Sequence, residues 1–517
     1  MSEAYGRSIA TGGGGAVRQM TEAVVGLGVV SFLLSIASLA QITTAETTIL
    51  GVGAHDLVAG VVGVMGAVVV GLGLASRRGI VETNPDETPG LVTAAVFALL
   101  AFVTVGLVVS QTLGFGTIVW LPTAALAGGV TLVTVSLARE DVGSTLPAGV
   151  TAIGIGALVL ADVVGPAFAW QPDGFSATFT GTMVAPVILA FAALTAAWAA
   201  AKAREGYGSR GRQTGAYLLI GINAVSIVTV LIALVLYIAT KGAGPAFEGF
   251  SLVPFEWPFV TNGYSYQPDI INGVFPAIVG TVWLVIGAVL VGVPLAVAAA
   301  LFLTEYAEQG RFVGAVEIAT NGLWSTPSVV YGLFGYAFLV PRLGGTTSLL
   351  SGMLVLGFML LPLCLITSRE AIKAVPDEYR DASAALGVSQ WETIRSVVLP
   401  AAVPGILTGV ILGVGRIAGE TAPILLVMAG GLRDDAPNVL GSFEFVASPP
   451  FVANDALLQS APALPYQLYA TITAGVSAEE SLAFGWGTAF VLLLVVLSFY
   501  AIGIATRIYF RRKLDHE

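Results

Sequence analysis

The chain has 517 residues, of which 56% are hydrophobic and only 10% are charged, with a mean hydropathy of +0.89. Soluble globular proteins carry roughly 25% charged residues, so this composition excludes that class and predicts a membrane protein. The net charge is −10. The chain has only one cysteine, which excludes an internal disulfide, and only two histidines, which excludes a histidine-based zinc site. None of the lysines follows a glycine, which excludes a GxxxxGK[ST] phosphate loop. We expect no cofactor, no metal and no nucleic-acid partner.

Charge-poor stretches long enough to cross a bilayer core of about 30 Å recur along the whole chain. Twelve such stretches fall at 22–42, 52–75, 90–110, 117–137, 148–169, 181–201, 214–239, 275–303, 315–340, 348–368, 402–429 and 484–507. The first has the length of an uncleaved helix rather than of a secretory signal. The predicted fold class is therefore all-α, a polytopic membrane protein with about twelve transmembrane helices.

Lysine and arginine predict the orientation of these helices, because they favour the cytoplasmic side. With both termini inside, 18 of the 22 basic residues fall in inner segments. Only Lys241, Arg342 and Arg433 fall in outer segments, and Arg416 lies within a span. This distribution predicts a multi-pass protein of the cell (plasma) membrane with both termini cytoplasmic.

The twelve stretches divide into two groups. The first six, within residues 1–205, have short connections and no basic residue inside a span, and the acid Asp162 falls close to the outer end of the fifth. A basic, glycine-containing linker follows at 202–212, and we predict a domain boundary there. Residues 206–517 form the second predicted domain, which has long outer loops and a long inner loop at 369–401.

The inner loop 369–401 has the pattern of a helix–turn–helix. Pro376 ends one helical segment, Asp377 is a candidate N-cap, and the next short helix is predicted over 379–386. Gly387 supplies a turn that needs positive φ. A second segment at 391–398 is predicted to end at Leu399-Pro400. From these features alone, a solvated connector and a partner-binding element are equally good interpretations.

The spacing of this loop resembles the EAA motif of ABC importer permeases, EAA-x3-G-x9-I-x-LP. It appears here as Asp381-Ala382-Ser383, Gly387, Val397 and Leu399-Pro400, with Asp for Glu, Ser for the second Ala and Val for Ile. The resemblance implies a type I ABC importer permease domain whose loop couples to a separate ATPase subunit. The absence of a phosphate loop agrees with that division of labour, so we do not expect an enzyme.

Three further segments, at 272–281, 325–334 and 415–423, resemble the phosphate-transport permeases of the PstA type. The resemblance covers residues 214–510 and implies a prokaryotic transporter of inorganic phosphate. It also implies PstB-like ATPase subunits, a PstC-like second permease and a PstS-like extracellular phosphate-binding protein, with membrane lipid around the helices. The first six helices have no counterpart in this pattern, and the sequence assigns them no role.

Two charges of the eleventh stretch predict a substrate pathway. Arg416 and Glu420 are spaced i, i+4, and we expect them on one helix face inside the bilayer. Charges there are costly, and guanidinium suits bidentate contact with an oxyanion. Glu420 would compete for Arg416, Thr421 could add a hydroxyl donor, and Pro423 would free a carbonyl or bend the helix. A self-neutralising structural pair is the other interpretation.

Other functions fit parts of this pattern. A permease for sulfate or molybdate fits the charged residues equally well. A proton- or sodium-coupled secondary transporter fits twelve spans with both ends inside. A structural membrane scaffold is disfavoured by the intramembrane charges. The acidic excess lies mainly in predicted outer loops, where concentrated salt would screen it, since the Debye length is about 3 Å at 1 M. This predicts a halophilic source, and a docking face for an outer partner is the other interpretation.

Overall fold

The computed structural model describes residues 14–40, 43, 47–49, 51–172, 176–265, 271–308, 310–448, 451–473 and 479–514. Both chain ends, which we predict to be cytoplasmic, lie outside the described residues. Helices make up most of what is described, because a helix satisfies its own backbone hydrogen bonds within an apolar medium.

The helices are numbered in chain order. They are α1 Gly14–Leu39, α2 Ala54–Arg77, α3 Leu91–Leu107, α4 Thr117–Leu137, α5 Glu140–Leu160, α6 Gly181–Arg204, α7 Gly208–Ala246, α8 Pro258–Thr261, α9 Phe275–Leu301, α10 Arg311–Ser325, α11 Ser328–Phe334, α12 Leu349–Lys373, α13 Asp377–Ala385, α14 Gln390–Thr393, α15 Leu399–Ala418, α16 Ala422–Val427, α17 Asp455–Leu458, α18 Leu464–Thr473 and α19 Glu479–Leu514. Wider π-helical turns extend α3, α9, α11 and α14.

Short antiparallel hairpins connect some of the helices. The strands are β1 Thr48–Ile49 with β2 Val52–Gly53, β3 Ala169–Trp170 with β4 Phe179–Thr180, β5 Ser251–Leu252 with β6 Phe255–Glu256, and β7 Phe443–Phe445 with β8 Val452–Asn454. In β7 and β8, Glu444 pairs with Ala453.

Eleven helices in the described ranges are long and apolar enough to cross a membrane. A further pair, Arg311–Ser325 and Ser328–Arg342, is bent by 100° and makes a twelfth crossing if it is counted as one span. The prediction of an all-α polytopic protein with about twelve transmembrane helices is confirmed. Asp162 differs from its predicted place, because α5 ends at Leu160 and Asp162 occupies the following turn with φ +58°.

The chain divides into two compact units, residues 1–232 and 233–517. This division falls inside α7, whereas the sequence predicts a boundary between residues 205 and 206. The identification of residues 1–205 as an extra N-terminal membrane region stays a prediction.

Glycines bring the helices of the first unit into backbone contact. α2 packs along α5, and α1 packs along α6. A Cβ added to Gly66 would lie 2.6 Å from the carbonyl oxygen of Gly149, and one added to Gly156 would lie 2.7 Å from that of Ala59. Small residues at such crossings allow the close approach that membrane helices use to associate.

A buried ion pair lies at one end of the first unit. Lys202 is 1% exposed, and its Nζ lies 2.9 Å from Oε1 of Glu140 and donates to Oγ of Ser144 at 2.8 Å. Oε2 of Glu140 accepts from the backbone N–H groups of Asp86 and Gly208. The prediction that the linker begins at residue 202 is therefore wrong. α6 continues to Arg204, because pairing with Glu140 lets Lys202 stay inside the bundle.

The second unit is built around α12, and 67% of the apolar 18-residue stretch of this helix is buried. α9 and α15 pack on α12, and α19 packs on α15. A Cβ on Gly292 would lie 2.6 Å from the carbonyl oxygen of Gly357, and Gly409 faces Thr367 in the same close manner. These contacts fix α12 and α15, which carry the two ends of the inner loop.

Candidate functional site

The inner loop folds as two short helices around a glycine turn. α13 begins directly after Pro376, so Asp377 is its first residue rather than its cap. Gly387 has φ +74°, as predicted, which ends the helix at little steric cost. α14 begins earlier than expected, since the hydroxyl of Ser389 caps the N–H of Glu392. That serine–glutamate spacing is the capping-box signature that the sequence analysis missed.

The second segment of the loop does not end at Leu399-Pro400. A π-helical turn over Ile394–Val398 runs directly into α15, so the predicted break is wrong. Proline lacks the N–H of the i to i−4 hydrogen bond, and a π turn immediately before it changes that hydrogen-bonding register. The loop is therefore continuous with the span that carries Arg416.

Four motif residues meet at one groove. Ala382, Ser383, Gly387 and Val397 line a groove of about 900 Å³ at the surface of the loop. Ser383 is buried, and its hydroxyl lies 2.7 Å from that of Thr393 across the two helices. Asp381 is exposed beside this groove, while Leu399 and Pro400 are half-buried at the start of α15.

Arg380 ties this loop to the end of a membrane helix. Its Nη2 donates to Oε1 of Glu305 at 2.8 Å, in the turn that follows α9. Its other donors reach the carbonyl oxygens of Val375 at 2.7 Å and Ile372 at 3.1 Å. Hydrogen bonding to Glu305 raises the pKa of Arg380 above its ordinary value, so the link stays charged. Arg380 thus connects α13 to the turn that follows α9.

The second candidate site surrounds Arg416. α15 ends at Ala418, so the prediction of one span over 402–429 with Arg416 and Glu420 on one helix face is wrong. The helix breaks because Pro423 cannot donate to the carbonyl oxygen of Gly419, and α16 starts at Ala422. Arg416 consequently lies in the last turn of α15, where the helix dipole favours a cation.

The guanidinium of Arg416 lies between a carboxylate and an aromatic ring. Its Nε lies 3.8 Å from Oε1 of Glu420, which is too long for a hydrogen bond. Its Cζ lies 4.4 Å from the centroid of the Trp324 ring. Within the described residues, the side-chain N–H groups of Arg416 donate no hydrogen bond. The side chains of Arg416 and Glu420 are 34% and 16% exposed, so neither charge is fully buried.

The sequence does not indicate two residues that lie near Arg416. Trp324 and Tyr331 lie on either side of the bend between α10 and α11, and the hydroxyl of Tyr331 donates to the carbonyl oxygen of Leu323 at 2.9 Å. The segment 325–334 resembles the PstA-type permeases, but no periodicity links it to residue 416. Thr421, predicted as a hydroxyl donor, lies in the break between α15 and α16. The described residues hold no group of three or more His, Cys, Asp or Glu side chains suited to a metal ion.

Comparison with known proteins places these features in a family. Residues 292–516 match the family described as binding-protein-dependent transport system inner membrane component. Over 199 residues the chain is 37% identical to the phosphate transport system permease protein PstA of Xylella fastidiosa, which covers 38% of this chain and 67% of that protein. It is also 27% identical over 292 residues to a probable ABC transporter permease protein, YqgI, of Bacillus subtilis, covering 56% of this chain and 94% of that protein.

Solved structures of lower likeness include an inward-facing MetNI methionine ABC transporter, with a TM-score of 0.34 and 16% identity over 46% of this chain and 94% of that chain. Another is a bacterial ABC transporter involved in import of the polysaccharide alginate, with a TM-score of 0.36 and 18% identity over 56% and 96% of the respective chains.

The bundle of membrane helices and the family match define the permease component of an ABC importer, a transport subunit embedded in a membrane and not itself an enzyme. Within that class, the chain belongs to the PstA-type permeases. A permease of this kind implies an ATPase partner and a substrate-binding protein.

Proposed function

We propose that this chain imports inorganic phosphate together with PstB-like ATPase subunits, a PstC-like second permease and a PstS-like extracellular phosphate-binding protein. The observation that carries the proposal is the open guanidinium of Arg416 within a membrane helix of a PstA-type permease. An arginine with its donors free, in a region where charge is costly, fits a transient oxyanion ligand.

The proposed mechanism uses the two sites in sequence. The ATPase subunits seat against the groove around Gly387, and ATP binding moves α13 and its Arg380–Glu305 link. The permease then opens outward, and phosphate passes from the binding protein to Arg416. Glu420, 3.8 Å away, competes for the same guanidinium and limits how tightly phosphate is held. ATP hydrolysis returns the permease to its inward-open state.

The proposed setting is a prokaryotic cell membrane with both termini in the cytoplasm. The 18 basic residues in predicted inner segments support this orientation. The net charge of −10 supports a halophilic source, where salt screens acidic outer loops. Those loops would also repel free phosphate, which favours delivery by a binding protein.

Phosphate uptake into phosphate-starved cells, with and without this chain, tests the proposal. We expect chain-dependent uptake that survives a protonophore and a sodium ionophore while cellular ATP is maintained. Arg416→Ala should lower uptake at least tenfold without reducing the amount of permease in the membrane, because the oxyanion loses its charged donors. Arg342→Ala, which removes an exposed arginine at a predicted outer loop, is the matched control and should leave uptake unchanged.

The other outcomes identify the competing functions. Uptake that collapses with the ion gradients would indicate a secondary transporter. Chain-dependent uptake of sulfate or molybdate instead of phosphate would support an ABC permease but would contradict phosphate as its substrate. Full phosphate uptake by Arg416→Ala would leave Arg416 and Glu420 as a structural pair.

A further inference from the structure

The guanidinium carbon of Arg416 lies over the indole ring of Trp324. The two residues come from different helices, since Trp324 precedes the bend after α10 and Arg416 ends α15. Cζ of Arg416 lies 4.4 Å from the ring centroid, well within the range of a cation–π contact. Trp324 remains 37% exposed, so the contact leaves part of the ring uncovered.

A cation–π contact fixes a guanidinium without consuming its donors. The five N–H bonds lie in the plane of the group, whereas the ring is attracted to the positive charge through its π face. A carboxylate acts in the opposite way, because a bidentate pair with Glu420 would occupy two of those donors. Nε of Arg416 lies 3.8 Å from Oε1 of Glu420, so Glu420 does not form this bidentate pair and leaves the donors of Arg416 unoccupied.

The position of the indole is itself fixed across the bend. Tyr331, on α11, donates its hydroxyl to the carbonyl oxygen of Leu323, the residue immediately before Trp324. Gly332 packs against Pro423 with almost no room, since an added Cβ would lie 2.7 Å from Cα of Pro423. α11 therefore contacts both the last turn of α10, which carries Trp324, and the start of α16, which follows the charged pair.

We propose that Trp324 is a positioning residue that holds Arg416 away from Glu420 and leaves the edge of the guanidinium free for a tetrahedral oxyanion. This inference rests on the proposed function, because it concerns the same substrate pathway. Trp324 does not touch the oxyanion in this scheme. It sets which of two partners, the carboxylate or the substrate, takes the in-plane donors of Arg416.

Replacing the indole tests the positioning role. Trp324→Leu should lower phosphate uptake by about three- to thirty-fold. Uptake is measured with saturating binding protein and is divided by the amount of permease in the membrane. Trp324→Phe keeps an aromatic face and should recover most of the rate. The matched control is Phe338→Leu, which removes a cation–π contact of Arg342, with Cζ 3.8 Å from the ring, outside the pathway. It should transport at the wild-type rate.

A double-mutant cycle separates positioning from simple packing. If Trp324 acts by keeping Arg416 off Glu420, Trp324→Leu should cost less than twofold when made on top of Glu420→Gln. An equal loss in both backgrounds, or no recovery by Trp324→Phe, would overturn the inference. Loss of uptake in Arg416→Ala with normal uptake in Trp324→Leu would refute the role of Trp324 alone. Full uptake in Arg416→Ala would instead refute the proposed site.

Discussion

Two arginines of the second unit have opposite surroundings, and the difference separates a mechanical link from a candidate ligand. Arg380 uses its donors on Glu305 and on two backbone carbonyl groups, so it has little capacity left for a substrate. Arg416 has an aromatic face beside it and a carboxylate beyond hydrogen-bond distance. A charged group left with free donors inside a membrane helix is expensive, which is why it indicates function.

The buried pair of the first unit gives a stability prediction at the same scale. Glu140→Ala should lower the free energy of unfolding in detergent by about 3–5 kcal/mol, because Lys202 is then buried without its partner. Denaturant titration of the purified chain measures the change. Glu22→Ala, which breaks an exposed pair with Arg18 and Arg204, is the control and should unfold near the wild-type midpoint. Equal midpoints for both variants would contradict the prediction.

The sequence identified Arg416 because it is the one basic residue that was placed within a predicted span. It could not identify Trp324, because the contact joins residues 92 positions apart and only the bend after α10 brings them together. Lys202 was misplaced for a related reason. Hydropathy treats a lysine as the end of a span, whereas the carboxylate of Glu140 allows it to remain inside.

At the scale of elements, the turn of the inner loop carries a prediction about coupling. Gly387 has φ +74° and open space around it, so Gly387→Val imposes backbone strain of roughly 1–3 kcal/mol and places a branched side chain in the docking groove. We expect ATPase association and phosphate uptake to fall at least fivefold. Copurification of the ATPase and uptake assays measure the two effects.

A second glycine provides the control for that variant. Gly345 has φ +77°, also with open space, so Gly345→Val imposes similar strain on a predicted outer turn. It should reduce stability comparably while keeping ATPase association. If both variants lose the ATPase, general destabilisation rather than the loop explains the effect.

Helix positions followed directly from hydropathy, but helix ends did not. The apolar run continues past Ala418 into α16, so composition alone cannot show that the backbone breaks at Gly419. Pro423 predicts a freed carbonyl or a bend, and the structure shows a complete break of the helix at this point. At Pro400 the same residue type predicted a stop, yet the preceding π turn lets the helix continue.

At the scale of the whole molecule, the bent pair α10–α11 determines whether the number of membrane spans is even or odd. Counted as one crossing it gives twelve spans and places both termini on the same side. Counted as a re-entrant loop it gives eleven and places them on opposite sides. The basic residues of the inner loop favour the first count, because an odd count would move Arg380 and Arg395 outside.

Cysteine labelling checks this topology, since Cys364 is buried and the wild-type chain should not react. Asp377→Cys and Phe445→Cys introduce thiols at side chains that are 92% and 94% exposed. In intact cells expressing the chain without its partners, a membrane-impermeant maleimide should label Phe445→Cys alone. Asp377→Cys should react only after the cytoplasmic side is opened. Labelling of both in intact cells would contradict the twelve-span orientation.

The buried pair of the first unit also constrains how the chain is made. Glu140 leaves the ribosome about 60 residues before Lys202, an interval of about 3–12 s at the usual rate of synthesis. During that time its carboxylate lacks the ammonium group that permits burial, and Gly208, which also binds it, is not yet made. We therefore expect the start of α5 to stay at the hydrated membrane surface until α6 and the start of α7 have emerged.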